Sequence, residues 1–258
     1  MERLTNERPS GFSGNMLRFW GVLLLLAGII GRGILQTRIL GIGINTAQQL
    51  EALLESNPDS LAILTTAVVL QAIESCAVPI FAFLLVEGFQ HTKDWKKYAL
   101  RLAGVAVLSE LPYNLISNGN VLDLSTRNPA FGLLLGVAVL YFCQRYEEKS
   151  AKNIFLQLCV IVAALLWAWM LQVEHGIFFV VSVSVLWSLR NKTALRTLVG
   201  AGVGTACMLI SPFYLASAIA FLPIHLYNGE QGNGNRWVNY LAYPILLLIV
   251  GVFGLLAF

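Results

Sequence analysis

Residues 79–102 read PIFAFLLVEGFQHTKDWKKYALRL. An apolar run ends in Glu87, Gly88 and Phe89. His91 and Thr92 follow, then Lys93, Lys96 and Lys97, and a second apolar run opens at Tyr98 and carries Arg101. Long uncharged runs cross a bilayer as helices, and Lys and Arg gather at the cytoplasmic ends of such helices. The stretch therefore reads as a membrane helix reaching the cytoplasmic surface, a short basic turn and a second helix going back. Glu87 and His91 are four residues apart and share one face if the helix continues through Phe89. With the basic turn they form either a cytoplasm-facing site or an ordinary charged boundary.

The same pattern recurs along the chain. Hydrophobic residues make up 57% and charged residues 12%, against about 45–50% and 25% in soluble domains. The mean hydropathy is +0.71. These values predict an all-α, polytopic membrane bundle. A transmembrane barrel would show alternating segments of about ten residues instead. The 22 glycines suit close approach of helix backbones in lipid. The net charge of +3 comes from basic loops at the membrane surface and implies no nucleic-acid partner. Cys76, Cys143, Cys159 and Cys207 lie in or beside apolar runs without metal-ligand or CxxC spacing. They read as small buried hydrophobes, and no metal or tightly bound cofactor is expected.

In order, the chain reads as one membrane domain, 1–258. A cytoplasmic tail, 1–16, precedes a first span at 17–35 that contains Arg32. An Arg near a helix end usually snorkels to the headgroups; a ligand contact is the sharper alternative. The longest outer loop is 36–60, within which NTAQQLEALLESN has the spacing of a short surface helix. The second span, 61–89, carries Pro79 and should kink near Ala77. Glu74 lies inside it, and an intramembrane carboxyl is either functional or a hydrogen-bonded helix contact. Further spans fall at 98–116, 129–146, 154–172, 176–189 and 195–210. The eighth ends near Leu226 and the ninth is 237–258. With a cytoplasmic N-terminus, only Arg32, Arg38 and Arg127 of the 17 Lys and Arg fall outside. That asymmetry supports about nine spans in a bacterial inner membrane. It also puts His175 outside, away from His91, and His225 inside.

Several elements recur in order from residue 76 onward: PIF, EGFQHT, Tyr98 with Arg101-Leu102, SELPYN, NPAFGLLLG, the EHGI turn, HLYNGEQG and YLAYPILLL. In their order and spacing the sequence resembles the TraX family of bacterial membrane proteins. The matching positions are Glu87, Gly88, His91, Thr92, Arg101, Glu110, Pro112, Asn114, Asn228, Gly229, Tyr243 and Pro244. What the resemblance implies is a relation to multi-span acyltransferases, which carry acyl groups from cytoplasmic acyl-CoA to acceptors at the membrane. A conjugation-associated member acetylates the N-terminus of pilin. Such enzymes rely on an intramembrane His, in this family an Asp-His pair in the first span. Here the first span, LLLLAGIIGRGIL, has neither, and Tyr243-Pro244 is followed by Ile245-Leu246 with no His.

Two functions follow. In the first, the protein is a membrane acyltransferase. His91, oriented by Glu87, is the base, since a His removing an acceptor proton is sound general-base chemistry. Lys93, Lys96 and Lys97 attract the phosphates of acyl-CoA. Glu74, Glu110, Asn114, Arg101, His225, Asn228 and Tyr243 line the path of a membrane or peptide acceptor. In the second, the chain is a non-catalytic transport or assembly partner that keeps the fold, with Glu74 serving a proton or cation path.

Overall fold

A computed structural model describes residues 11–42, 46–118, 123, 125–232, 234 and 236–257. Arg3 and Arg8 of the N-terminal tail lie outside these. Among the described residues every regular element is helical. The chain runs through α1 (Gly14–Ile29), a π-helical extension (Ile30–Ile39), α2 (Ala47–Ser56), α3 (Pro58–Ser75), α4 (Ala77–Gln90) and α5 (Trp95–Asn118). It continues through α6 (Ala130–Arg145), α7 (Ala151–Met170), α8 (Gly176–Ser188) and α9 (Thr193–Ala206). A 3₁₀ turn (Cys207–Leu209), a 3₁₀ helix (Pro212–Ala220), α10 (Phe221–His225) and α11 (Arg236–Ala257) close it.

Local chemistry sets the helix starts. Ser13 and Ser150 accept from the amides of Met16 and Asn153, at 3.3 and 3.2 Å. Thr46 and Gln49 form a reciprocal capping box ahead of α2, so the segment read as a loop holds the short helix its spacing suggested. Asn57 caps α3, with Pro58 at the first helical position. α3 and α4 are one apolar rod broken at Cys76, next to the kink expected near Ala77. Pro79 has no N–H and its ring displaces the carbonyl one turn back. Side chains at the break turn to a neighbour instead. Ser75 Oγ reaches the Phe213 carbonyl at 2.7 Å, and Cys76 Sγ reaches that of Ala216 at 3.1 Å. The break is thereby fastened to the 3₁₀ helix.

α4 and α8 lie at the centre. α4 packs on α8 and α8 on α6, burying Phe83, Val86, Leu140, Val180, Val183 and Leu186. α5 lies along α11, and α1 along α3 and α4. α7 is outermost, with Leu158, Val162, Leu166, Trp167 and Trp169 exposed. An apolar face of that extent needs a cover, and a bilayer supplies it.

Four helical stretches are long and apolar enough to cross a membrane: Gly14–Ile39, Pro58–Gln90, Trp95–Ser117 and Ala151–Met170. The other five apolar stretches are shorter, at 10–17 residues. α8, with 13 residues, rises only about 20 Å, short of a hydrocarbon core of about 30 Å. The Glu174 and His175 side chains before it are only 16% and 14% exposed and turn into the bundle. The sequence counted nine spans from apolar runs and the placement of Lys and Arg, and its sixth, 176–189, coincides with α8.

Candidate functional site

A cavity of about 830 Å³ opens beside the α4–α5 turn, within the range of about 300–1,000 Å³ usual for ligand sites. It follows α4 from Ala77 past Phe81 and Leu85 to His91, roughly 20 Å of helix at 1.5 Å per residue. Its mouth is lined by Arg18, Lys93, Lys97 and Arg101, with Asp94 among them. Its middle is apolar, with Val22, Leu25, Leu102 and Val105. At its inner end are Ala130, Glu174, His175 and Tyr243.

Each mouth residue has a local reason for its place. Asp94 Oδ1 accepts from the amides of Lys96 and Lys97 at 3.1 and 3.2 Å, which opens α5 and sets the register of its basic face. Those hydrogen bonds, chiefly the one from the Lys97 amide, hold the Asp94 carboxyl below the ordinary aspartate range. Arg101 lies over the Tyr240 ring at 5.6 Å, and Arg18 donates to Asn15 Oδ1 at 2.5 Å.

The inner end is built on an ion cluster. Arg32, in the π-helical extension, pairs with Glu74 at 3.2 Å and with Glu174. With the Arg32 side chain 19% exposed and that of Glu74 4%, Arg32 is turned into the bundle. It does not snorkel, because two carboxylates hold it there. A Cβ at Gly28 would overlap the Glu74 carboxylate, so this close approach of α1 to α3 needs glycine. His175 follows Glu174 with φ +55°, a left-handed conformation that strains a non-glycine residue. Its Nδ1 is 2.9 Å from Tyr214 Oη. Its Nε2 has no hydrogen-bond partner among the described residues and is 3.9 Å from Glu174 Oε1.

The turn carrying this pair is anchored from outside the cavity. The Glu174 amide donates to the Arg127 carbonyl at 2.9 Å, and the Arg127 amide to that of Gln172 at 3.0 Å. Glu110 in turn accepts from Asn128 Nδ2 at 2.5 Å and pairs with Arg127 at 3.4 Å. Gly176 closes the turn, since a Cβ there would lie 2.8 Å from that of Val173.

The residues singled out in the sequence divide accordingly. His91, Lys93, Lys97, Arg101 and Tyr243 line the cavity. Lys96 faces away, 6.0 Å over Trp95. His91 Nδ1 meets the carbonyl oxygen of Glu87 at 2.8 Å, not its carboxylate. Glu74 is in the ion cluster and Glu110 anchors the turn. Asn114 is buried with its Oδ1 unpaired. His225 Nδ1 meets Thr197 Oγ1 at 2.9 Å, and Asn228 Oδ1 accepts from the Glu230 amide at 3.0 Å; neither lines the cavity. Arg32, Glu174, His175 and Tyr214 were not assigned to a site. Opposite charges inside two apolar runs, Arg32 and Glu74, were the available signal. His175, set apart from His91 by the span count, lines the same cavity because its turn penetrates the bundle.

Fold and site together define an all-helical membrane protein with a deep cavity, basic at the mouth and ion-paired at the floor. It belongs to the TraX family, whose model, described as TraX protein, matches residues 58–254. A relative from Dichelobacter nodosus, named a probable fimbrial assembly protein FimC, serogroup H1, is 24% identical over 196 residues. That match covers 67% of this chain and 78% of the relative. No solved structure matches the chain.

Proposed function

We propose that the protein works in pilus assembly as a membrane acyltransferase, moving an acyl group from cytoplasmic acyl-CoA to a peptide or membrane acceptor. The cavity carries this reading. A long cavity with cations at its mouth and apolar walls suits a ligand with a polyanionic head and a long uncharged arm, and acyl-CoA has that form. Lys93, Lys97, Arg18 and Arg101 attract its phosphates. The fimbrial role named for the Dichelobacter relative supports a pilus component as acceptor.

In this reading the chain makes nine passes of the bacterial inner membrane: α1 with its extension, α3 with α4, the 3₁₀ helix with α10, and α5, α6, α7, α8, α9 and α11 singly. The mouth then opens to the cytoplasm. The alternative is a non-catalytic transport or assembly partner that keeps the fold; in it Glu74 acts as a carboxyl paired with Arg32. The test is release of free coenzyme A thiol from acetyl-CoA by the purified protein in detergent, with a short synthetic peptide bearing a free N-terminal amine. Peptide acetylation found by mass spectrometry, and reduced when Lys93 and Lys97 are changed to Gln, is the expected result. No acetylation above a protein-free control counts against the reading.

A further inference from the structure

Resting on the acyl-transfer reading, we infer that His175, not His91, is the group that takes the proton from the acceptor, through Nε2 at the inner end of the cavity. Position decides between the two. His91 lies at the mouth with Lys93 and Lys97, where the phosphates of acyl-CoA are held. The thioester is at the other end of the arm, and the inner end of the cavity is where His175 is.

The local structure suits the task. In the tautomer whose Nδ1–H donates to Tyr214 Oη, 2.9 Å away, Nε2 carries the ring's lone pair, and base catalysis needs that tautomer. Nε2 is buried and has no partner among the described residues, a demand that protein interiors rarely leave unmet, and an acceptor N–H or O–H satisfies it. The strained backbone at His175 is held by the Arg127 contacts and by Gly176, as expected where strain is kept for function. Arg32 holds Glu174, so that carboxylate steadies the turn.

The step balances. The acceptor nitrogen bonds to the thioester carbonyl carbon as its proton passes to Nε2. The tetrahedral intermediate collapses with cleavage of the C–S bond. The departing thiolate takes the proton back from the imidazolium, leaving an amide, neutral His175 and coenzyme A thiol.

The chain has three histidines, so the assignment is read directly with bromoacetyl-CoA, which carries an electrophilic carbon beside the thioester. Alkylation of His175 in the wild-type protein, suppressed by acetyl-CoA, is expected. Alkylation of His91 with His175 spared overturns the assignment, and so does labelling of His175 that acetyl-CoA does not slow. In turnover, His175→Gln should lower the rate about 100-fold or more while acetyl-CoA still raises its unfolding temperature. A His175→Gln protein as active as wild type overturns the inference and leaves the acyl-transfer reading standing. Absence of any acetyl-CoA effect on wild-type unfolding strikes the reading itself, and the inference falls with it.

Discussion

Arg32 places one positive charge between two carboxylates, Glu74 and Glu174, so its loss and theirs are unequal. Arg32→Met leaves two buried carboxyls without a cation and should destabilise by about 3–5 kcal/mol. Glu74→Gln leaves a one-to-one pair and should cost less. Thermal unfolding in detergent checks the order, and equal losses would contradict it. Asp94 makes a second prediction at this scale. Its folded pKa is lowered by the amides of Lys97 and Lys96, so in the pH range between the two pKa values the unfolded chain binds the proton more readily. The contribution is complete above the unfolded value of about 3.9 and is lost as pH falls through the folded value. Asp94→Asn should therefore lower the unfolding temperature at neutral pH, with the gap to wild type closing in acid. Asp94 and the lysines were plain in the sequence. Arg32 was visible too, but its partners are 42 and more residues away, and a lone Arg near a helix end looks the same whether it faces lipid or a carboxylate.

Among the elements, α1, α4 and the turn before α8 make the site, and glycine sets how closely they approach. Gly28→Ala forces a methyl group against Glu74 and should destabilise by about 1–3 kcal/mol, as overpacking does. Gly104 has open space around it, so Gly104→Ala should be neutral or stabilise by up to about 1 kcal/mol. Paired unfolding measurements separate the two, and a larger loss at Gly104 would contradict the packing described for α1 and α3. The break at Cys76 was legible because Pro79 announces it chemically. The penetration of the Glu174-His175 turn was not, since EHGI shows a tight turn but not its depth. The sequence already placed a short span at 176–189; what it could not show is that the Glu174 and His175 side chains turn into the bundle.

For the whole molecule, the alternation of apolar runs with basic turns gave the helical class directly, because lipid demands uncharged helices and leaves Lys and Arg at one surface. The cavity was beyond such reading, being enclosed by residues from six helices that no local pattern joins. The nine passes proposed would put the two termini on opposite sides of the membrane. A C-terminal alkaline phosphatase fusion should then be active in cells and a C-terminal fluorescent-protein fusion dark, and the reverse would remove one pass from the count. The central claim is that the cavity holds acyl-CoA by its phosphates, and the unfolding temperature of the solubilised protein across acetyl-CoA concentrations tests it most directly. A ligand that prefers the folded state raises that temperature by mass action. The account predicts a dose-dependent rise that weakens with salt and is lost when Lys93, Lys97 and Arg101 are all changed to Gln. No rise, or a rise of equal size in the triple variant, would contradict it.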